Sequence, residues 1–260
     1  MGSGAGKVKS GGAAAPGRLA ARLLDLIYPP TCLSCAAPVS VQASLCASCF
    51  TRLRPITAPY CPVLGLPFEV SPGPEALSAE AIADPPPFNR ARSAVIYNEV
   101  ARAVVSRLKY GDRPELAAFC ARLMQAAGRD LWPGQPVLVP VPLHFTRQVQ
   151  RRYNQSTELA RIMGRRLGLD VDPAIVVRRR RTRQQVGLSS SARERNVAGA
   201  FEVHRHAADR LKGRGVVLVD DVITTGSTVK AITRALRRAG VAKIDVISFA
   251  RVVTGAEVTI

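Results

Sequence analysis

Features that would identify a membrane or secreted protein are missing from this sequence. No stretch approaches the roughly 18 consecutive apolar residues that a membrane-spanning helix needs. The first 17 residues are rich in Gly, Ala and Ser and lack the apolar centre of a signal peptide. These absences predict a cytoplasmic protein without membrane insertion, whose six cysteines are thiols or metal ligands and not disulfides.

Acidic and aromatic residues are also few. The chain has 19 Asp plus Glu against 37 Lys plus Arg, a formal net charge of +18, which favours anionic partners such as nucleic acid, anionic lipid or a pyrophosphate-bearing substrate. Aromatic residues make up only 5% of the chain and are not interleaved with the basic run at residues 178–183, so the base-stacking apparatus is small. With 260 residues, of which 47% are hydrophobic, the chain can form one sizeable core and a small module.

The most informative stretch is residues 216–228, where an aliphatic run precedes two carboxylates and a loop of small hydroxyl residues. The run 216–219 predicts a strand buried on both faces of a parallel sheet. Val229, Ile232 and Leu236 then have the spacing of a buried helix face. A small-residue turn at a helix N-terminus directs free backbone N–H groups at an anion. We therefore predict a phosphate site made by five consecutive residues, Thr224, Thr225, Gly226, Ser227 and Thr228.

Two carboxylates, Asp220 and Asp221, stand directly before that loop and are the candidate catalytic residues. Carboxylates accept hydrogen bonds from sugar hydroxyls and hold Mg²⁺, so the stretch predicts a site for a phosphorylated ribose. Three other interpretations compete: a Walker B strand, an acidic phosphoacceptor pocket and a plain crossover with a capped helix. A Walker B strand requires a P-loop, and residues 4–8 lack the Ser or Thr that should follow the lysine.

Residues 217–228 resemble the phosphoribosyl pyrophosphate (PRPP) motif of type I phosphoribosyltransferases. Further segments resemble the ComF family of bacterial competence proteins; they are the paired N-terminal cysteines and residues 108–112, 139–143, 151–155, 183–185 and 193–201. The resemblance implies an α/β fold with a parallel sheet flanked by helices and a small N-terminal zinc-ribbon module. It further implies Mg-PRPP or a related nucleotide as ligand, pentosyl transfer as reaction, and a setting of single-stranded DNA uptake or nucleotide salvage with DNA-uptake proteins as partners.

Basic residues outside the central stretch are candidate pyrophosphate ligands. Arg147, Arg151 and Arg152 follow a predicted strand at residues 136–143, and parallel sheets bind ligands at the carboxyl ends of their strands. The resemblance favours Arg151, which matches the arginine that opens the family's Asn-Gln motif, whereas Arg152 replaces the glycine usual there. Lys109 is either a phosphate ligand or a last-turn cation facing its helix dipole.

Two C-x₂-C pairs lie near the N-terminus and are formed by Cys32, Cys35, Cys46 and Cys49. Their spacing predicts one structural zinc ion bound by four thiolates, and the tandem repetition argues against a redox motif. Cys61 opens a similar segment in which Leu64 replaces the second cysteine, so a second four-cysteine site cannot form. Cys61 is then either spare or a competing ligand.

The order of these features predicts four segments. They are a disordered tail at residues 1–20, a zinc-ribbon module at 21–70, a Pro-rich linker at 71–88 and a phosphoribosyltransferase-like domain at 89–260. Strand and helix patterns alternate from residue 93 onward, which indicates right-handed crossovers and a parallel sheet. Two function classes stay open: a phosphoribosyltransferase, and a non-catalytic nucleic-acid-binding factor whose fold only senses a nucleotide or PRPP.

Overall fold

The computed structural model describes residues 29–73, 75–110, 114–143, 154–179, 199–211 and 213–253. The strands in these ranges are β1 Arg90–Ile96, β2 Val137–Pro140, β3 Val176–Arg178, β4 Phe201–Val203, β5 Val216–Ile223 and β6 Ile244–Arg251. The helices are α1 Ala47–Arg52, α2 Ala79–Ala83, α3 Glu99–Tyr110, α4 Pro114–Ala127, α5 Gln155–Leu167, α6 Ala207–Leu211 and α7 Ser227–Arg238. The predicted tail at residues 1–20 lies outside the described residues.

Four strands form a parallel sheet in the order β1-β6-β5-β2, which confirms the predicted fold class. The central strand β5 continues four residues beyond the predicted run, because β6 pairs with it as far as Ile223 opposite Arg251. On its other side β2 pairs only as far as Pro140 opposite Val219, and proline offers no N–H to continue a ladder. The acidic pair at residues 220–221 thus lies inside a strand, just past the end of β2.

The core occupies both faces of the sheet. Val217 and Val219 are fully buried in one cluster together with apolar residues of α3, α4 and α5. Val216 and Leu218, which point to the opposite face, are buried in a second cluster with residues of α7. The prediction that the aliphatic run is buried on both faces is confirmed, and its carboxyl end is thereby held at one edge of a rigid sheet.

A separate antiparallel pair, β3 and β4, joins the two ends of the arginine-rich segment. Val176 pairs with Val203, and Arg178 pairs with Phe201. Residues 180–198, which contain most of the basic run at residues 178–183, lie outside the described residues. This pairing was not predicted from the sequence, because a short strand with two partly exposed positions has little hydrophobic periodicity.

The N-terminal segment packs along β1 and reaches both faces of the sheet. Backbone hydrogen bonds join Ile56 to Ala94 and Ile96 to Arg54, so residues 54–56 extend the edge of the sheet. Residues before them are buried in the cluster with α3 and α4, whereas residues after them are buried with α7.

The segment 71–88, predicted as a linker, contains α2 and ends in a buried Phe88. Among the described residues, no helix has the length and apolar character needed to cross a bilayer.

Candidate functional site

The site begins where β5 turns into α7. Gly226 caps this helix with φ 74°, in the left-handed region that glycine adopts without strain. The Thr225 and Ser227 hydroxyls lie 2.8 Å apart, and the Ser227 backbone N–H donates to Thr225 Oγ1 at 3.5 Å. Because the first backbone N–H groups of a helix have no intrahelical acceptor, the turn has the local form of an anion site.

A cleft joins this turn to Asp220, the first residue of the acidic pair. It is lined by Asp220, Val222, Ile223, Thr224, Gly226, Ser227, Thr228 and Val229. Both aspartates are only partly exposed and neither is sealed inside the protein. The cleft therefore brings Asp220 together with four of the five residues of the predicted hydroxyl loop, and Asp221 follows Asp220 in β5. Thr225, the remaining loop residue, contacts the cleft residue Ser227.

Asp220 is the carboxylate that lines the cleft, and its surroundings strongly change its pKa. Its Oδ1 accepts hydrogen bonds from the Asp221 backbone N–H at 2.9 Å and from Ser156 Oγ at 3.3 Å. Burial, followed by the negative charge of Asp221, raises the pKa of Asp220 to about 8, against the opposing effects of these two donors and of Lys109. Near neutral pH this carboxyl group therefore retains its proton, and a bound cation would displace that proton into solvent.

Lys109 reaches the same site from the last turn of α3. Its Nζ lies 3.1 Å from Asp221 Oδ2, and the two side chains are 27% and 14% exposed. The Lys109 carbonyl accepts a hydrogen bond from Gln155 Nε2 at 3.5 Å, which links α3 to the start of α5. Lys109 is therefore an ion-pair partner of Asp221, and its role as a phosphate ligand stays a prediction.

Ser156 was not among the predicted site residues, although it contacts Asp220. It follows the N-cap of α5, Asn154, whose Oδ1 accepts from the Ser156 N–H at 3.0 Å and whose Nδ2 donates to the Val141 carbonyl at 3.1 Å. Asn at the start of an amphipathic segment is a recognisable N-cap signal, and it could have placed Ser156 at a helix N-terminus beside β2. Arg147, Arg151 and Arg152 lie outside the described residues.

The predicted zinc ligands are brought together in the N-terminal segment. The Sγ atoms of Cys32, Cys35, Cys46 and Cys49 all lie within 4.8 Å of one another. The Cys35 and Cys46 sulfurs are 3.7 Å apart, close to the spacing of about 3.8 Å expected for two thiolates around one zinc with Zn–S bonds of about 2.3 Å. The donor set fits a closed structural site with four sulfur ligands.

The electrostatics of this cluster suit a bound cation. Burial alone would raise the pKa of Cys32, but backbone N–H groups of Cys35, Cys46 and Ser34 outweigh it and lower that pKa to about 6. The Cys46 and Ser34 N–H groups lie 3.3 and 3.4 Å from the Cys32 sulfur. Burial and the three neighbouring thiols raise the pKa of Cys49 to about 12, and only the Ser34 side chain opposes them. A divalent cation would relieve the repulsion among four thiolates.

Comparison with known proteins agrees with both parts of this description. The double zinc ribbon domain family matches residues 23–82, and the phosphoribosyl transferase domain family matches residues 106–258. The fold and the site thus define a protein of the phosphoribosyltransferase class with an N-terminal zinc ribbon.

Several relatives are similar over most of their length. DNA utilization protein YhgH of Salmonella typhi is 33% identical over 227 residues, covering 85% of this chain and 96% of that protein. Competence protein F of Haemophilus influenzae is 31% identical with the same coverage, and competence protein ComFC of Bacillus subtilis is 28% identical, covering 75% of this chain and 79% of that protein. The chain belongs to the ComF family of competence and DNA utilization proteins.

Proposed function

We propose that the chain binds Mg-PRPP or a related nucleotide in the cleft at the carboxyl end of β5 and transfers its phosphoribosyl group to an acceptor. The observation that carries the proposal is that one cleft is lined by a carboxylate of the acidic pair and by the hydroxyl-rich N-terminus of α7. Phosphate requires N–H and hydroxyl donors, whereas ribose hydroxyls require acceptors. A phosphorylated ribose satisfies both ends of such a cleft.

Each part of the ligand has a matching group. Residues 224–228 would bind the 5′-phosphate through backbone N–H and hydroxyl groups, while Asp220 and Asp221 would accept from the ribose hydroxyls or hold the magnesium ion. Magnesium, when bound with PRPP, would supply positive charge to the departing pyrophosphate. Lys109 would add a fixed positive charge beside it. Arg147, Arg151 and Arg152 are proposed as further pyrophosphate ligands.

The Lys109–Asp221 ion pair gives the proposed site a specific binding step. Lys109 Nζ is 3.1 Å from Asp221 Oδ2, so an incoming cation and pyrophosphate would compete for both partners at once. Exchanging this pair leaves neither charge without a counter-ion, because Asp221 would gain magnesium while Lys109 gains phosphate oxygens. Magnesium and pyrophosphate would therefore bind cooperatively, and either alone would bind more weakly.

Calorimetric titration with Mg-PRPP tests this site. We expect binding by the wild-type protein and a loss of at least tenfold in affinity for Asp221→Ala. The matched control is Asp209→Ala, which removes a carboxylate of α6 that is 83% exposed and does not line the cleft; it should bind as the wild type does. Equal affinity of wild type and Asp221→Ala would place the ligand elsewhere.

A second function is favoured by the charge and by the relatives. The net charge is +18, and the similar proteins are named for competence and DNA utilization. We propose as the alternative a non-catalytic factor that binds single-stranded DNA and uses the cleft only to sense PRPP or a nucleotide. Pyrophosphate release with a panel of nucleobases separates the two, since turnover supports the enzyme. Steeply salt-dependent strand binding without turnover supports the factor.

A further inference from the structure

The chain has two turns with the same backbone hydrogen bonds. We call residues 32–37, which carry two of the predicted zinc ligands, the first knuckle, and residues 61–66 the second knuckle. In the first, the Cys32 N–H donates to the Ala37 carbonyl and the Ala36 N–H to the Cys32 carbonyl at 2.7 and 3.1 Å. In the second, the Cys61 N–H donates to the Leu66 carbonyl and the Gly65 N–H to the Cys61 carbonyl, both at 2.8 Å. The turn residues Ala36 and Gly65 have φ values of 63° and 64°. Cys61 therefore corresponds to Cys32, and Leu64 to Cys35.

The correspondence continues in the helix that follows each knuckle. Cys46 is the N-cap of α1 and its N–H donates to the Cys32 sulfur at 3.3 Å. Ser78 is the N-cap of α2 and its N–H donates to the Cys61 sulfur at 3.4 Å. Ser78 thus corresponds to Cys46, and the residue three positions later, Ala81, to Cys49.

The second knuckle lacks the ligands that a zinc ion requires. Its four equivalent positions carry Cys61, Leu64, Ser78 and Ala81, each at most 6% exposed and therefore shielded from outside ligands. Leucine and alanine have no donor atom, and a serine hydroxyl is not among the usual zinc ligands. Leu64 and Ala81 instead belong to the apolar cluster shared with α7 and the sheet. Two apolar side chains occupy positions that hold sulfur ligands in the first knuckle.

The sheet supplies the cross-links that a metal would otherwise provide. Two arginines, 6% and 8% exposed, donate to knuckle carbonyls: Arg92 to Pro62 at 2.9 Å and Arg251 to Leu64 at 3.1 Å. The Ala91 N–H donates to the Val63 carbonyl at 2.7 Å. These bonds anchor three consecutive carbonyls of the knuckle to β1 and β6, so its position depends on the sheet and on apolar packing.

We propose that the chain carries one zinc ion, in the first knuckle, and that the second knuckle is a metal-free ribbon held by apolar packing and by Arg92 and Arg251. The match to a double zinc ribbon domain thus describes the backbone of both knuckles but the metal of only one. This inference is independent of the proposed function. The proposal also implies that the packing of the second knuckle next to α7 does not depend on zinc. On this side of the protein, Lys230 pairs with Asp84 at the end of α2.

Metal analysis of the full-length protein tests the stoichiometry. We expect one zinc per chain in the wild type and in Cys61→Ser, whose hydroxyl can still accept the two N–H groups. The matched variant in the first knuckle, Cys32→Ser, should lose most of its zinc. Two zinc ions per wild-type chain, or loss of zinc from Cys61→Ser, would overturn the proposal.

A gain-of-site variant tests the correspondence between the knuckles. Leu64→Cys, Ser78→Cys and Ala81→Cys together with native Cys61 would provide four thiolates on the same backbone, and we expect about one additional metal per chain. Cobalt substitution should then double the thiolate-to-cobalt absorption per chain. A folded triple variant that still binds one metal would show that the two knuckles are not equivalent. If the triple variant does not fold, the pair Cys61→Ser and Cys32→Ser still decides the stoichiometry.

Discussion

Replacing Asp220 by asparagine should make the protein more stable at alkaline pH and less able to bind its ligand. Burial and the neighbouring charge of Asp221 raise the pKa of Asp220 from 3.8 to about 8. A carboxyl group with a raised pKa in the folded state binds its proton more tightly there than in the unfolded chain. The folded protein therefore loses stability as pH rises from about 4 to about 8.

The size of the effect follows from that shift. Each pKa unit corresponds to about 1.4 kcal/mol, so the full shift corresponds to about 6 kcal/mol for a completely buried group. Asp220 borders a cleft that is open to water, and solvent screening reduces this to about 3 kcal/mol. For a chain of this length, we expect Asp220→Asn to raise the melting temperature by about 6–12 °C at pH 9 and by almost nothing at pH 4.

The assay is thermal unfolding together with urea unfolding at pH 4, 6, 7.5 and 9 for the wild type and the variant. The free energy of unfolding of the wild type should fall relative to that of Asp220→Asn as pH rises through this window. Asp209→Asn, at an exposed position, is the control and should run parallel to the wild type. An Asp220→Asn variant whose stability relative to the wild type does not change between pH 4 and 9 would refute the assigned environment. A variant that gains stability but loses ligand binding is the result expected when a functional residue destabilises the folded protein.

Three further changes probe other parts of the molecule. Lys109→Met should weaken Mg-PRPP binding by about ten- to a hundredfold, because it removes the positive charge that we propose for the pyrophosphate. Lys243→Met, on the loop before β6, should bind as the wild type does, and calorimetry compares the two variants. Cys46→Ser should lose most of the zinc and melt several degrees lower, by metal analysis and calorimetric scanning; unchanged zinc would contradict the assignment. Phe249→Ala should cost about 3–5 kcal/mol in urea unfolding, because Phe249 is fully buried in β6; a cost below 1 kcal/mol would contradict its core position.

The sequence predicted the centre of the fold because local signals there agree with one another. The aliphatic run at 216–219, Gly226 and the helical spacing of Val229 and Ile232 each indicate the same strand–turn–helix unit, and the structure has this unit. Parallel strands buried on both faces have continuous apolar runs, so the four-stranded sheet could also be predicted. The spacing of the N-terminal cysteines likewise predicted which sulfurs would meet.

Contacts between distant segments could not be predicted in the same way. The ion pair of Lys109 with Asp221 depends on how α3 packs against the end of β5, and no local pattern encodes that distance. Ser78 and Ala81 lie at the positions equivalent to Cys46 and Cys49, but their residue types give no sign of a metal-binding motif. In addition, the segment between Leu64 and Ser78 is longer than the segment between Cys35 and Cys46. Only the repeated hydrogen bonds to Cys32 and Cys61 reveal the second knuckle, because backbone geometry persists where side-chain chemistry has changed.

The central claim is that the turn at residues 224–228 binds the 5′-phosphate of a ribose. Phosphorus NMR of ribose 5-phosphate titrated with the protein tests it most directly, since the resonance reports on that phosphate alone. We predict a shifted or broadened resonance with the wild type and none with Gly226→Val, because a β-branched residue at φ 74° distorts the turn. An unchanged resonance with the wild type, or an equal response from the folded Gly226→Val variant, would contradict the account.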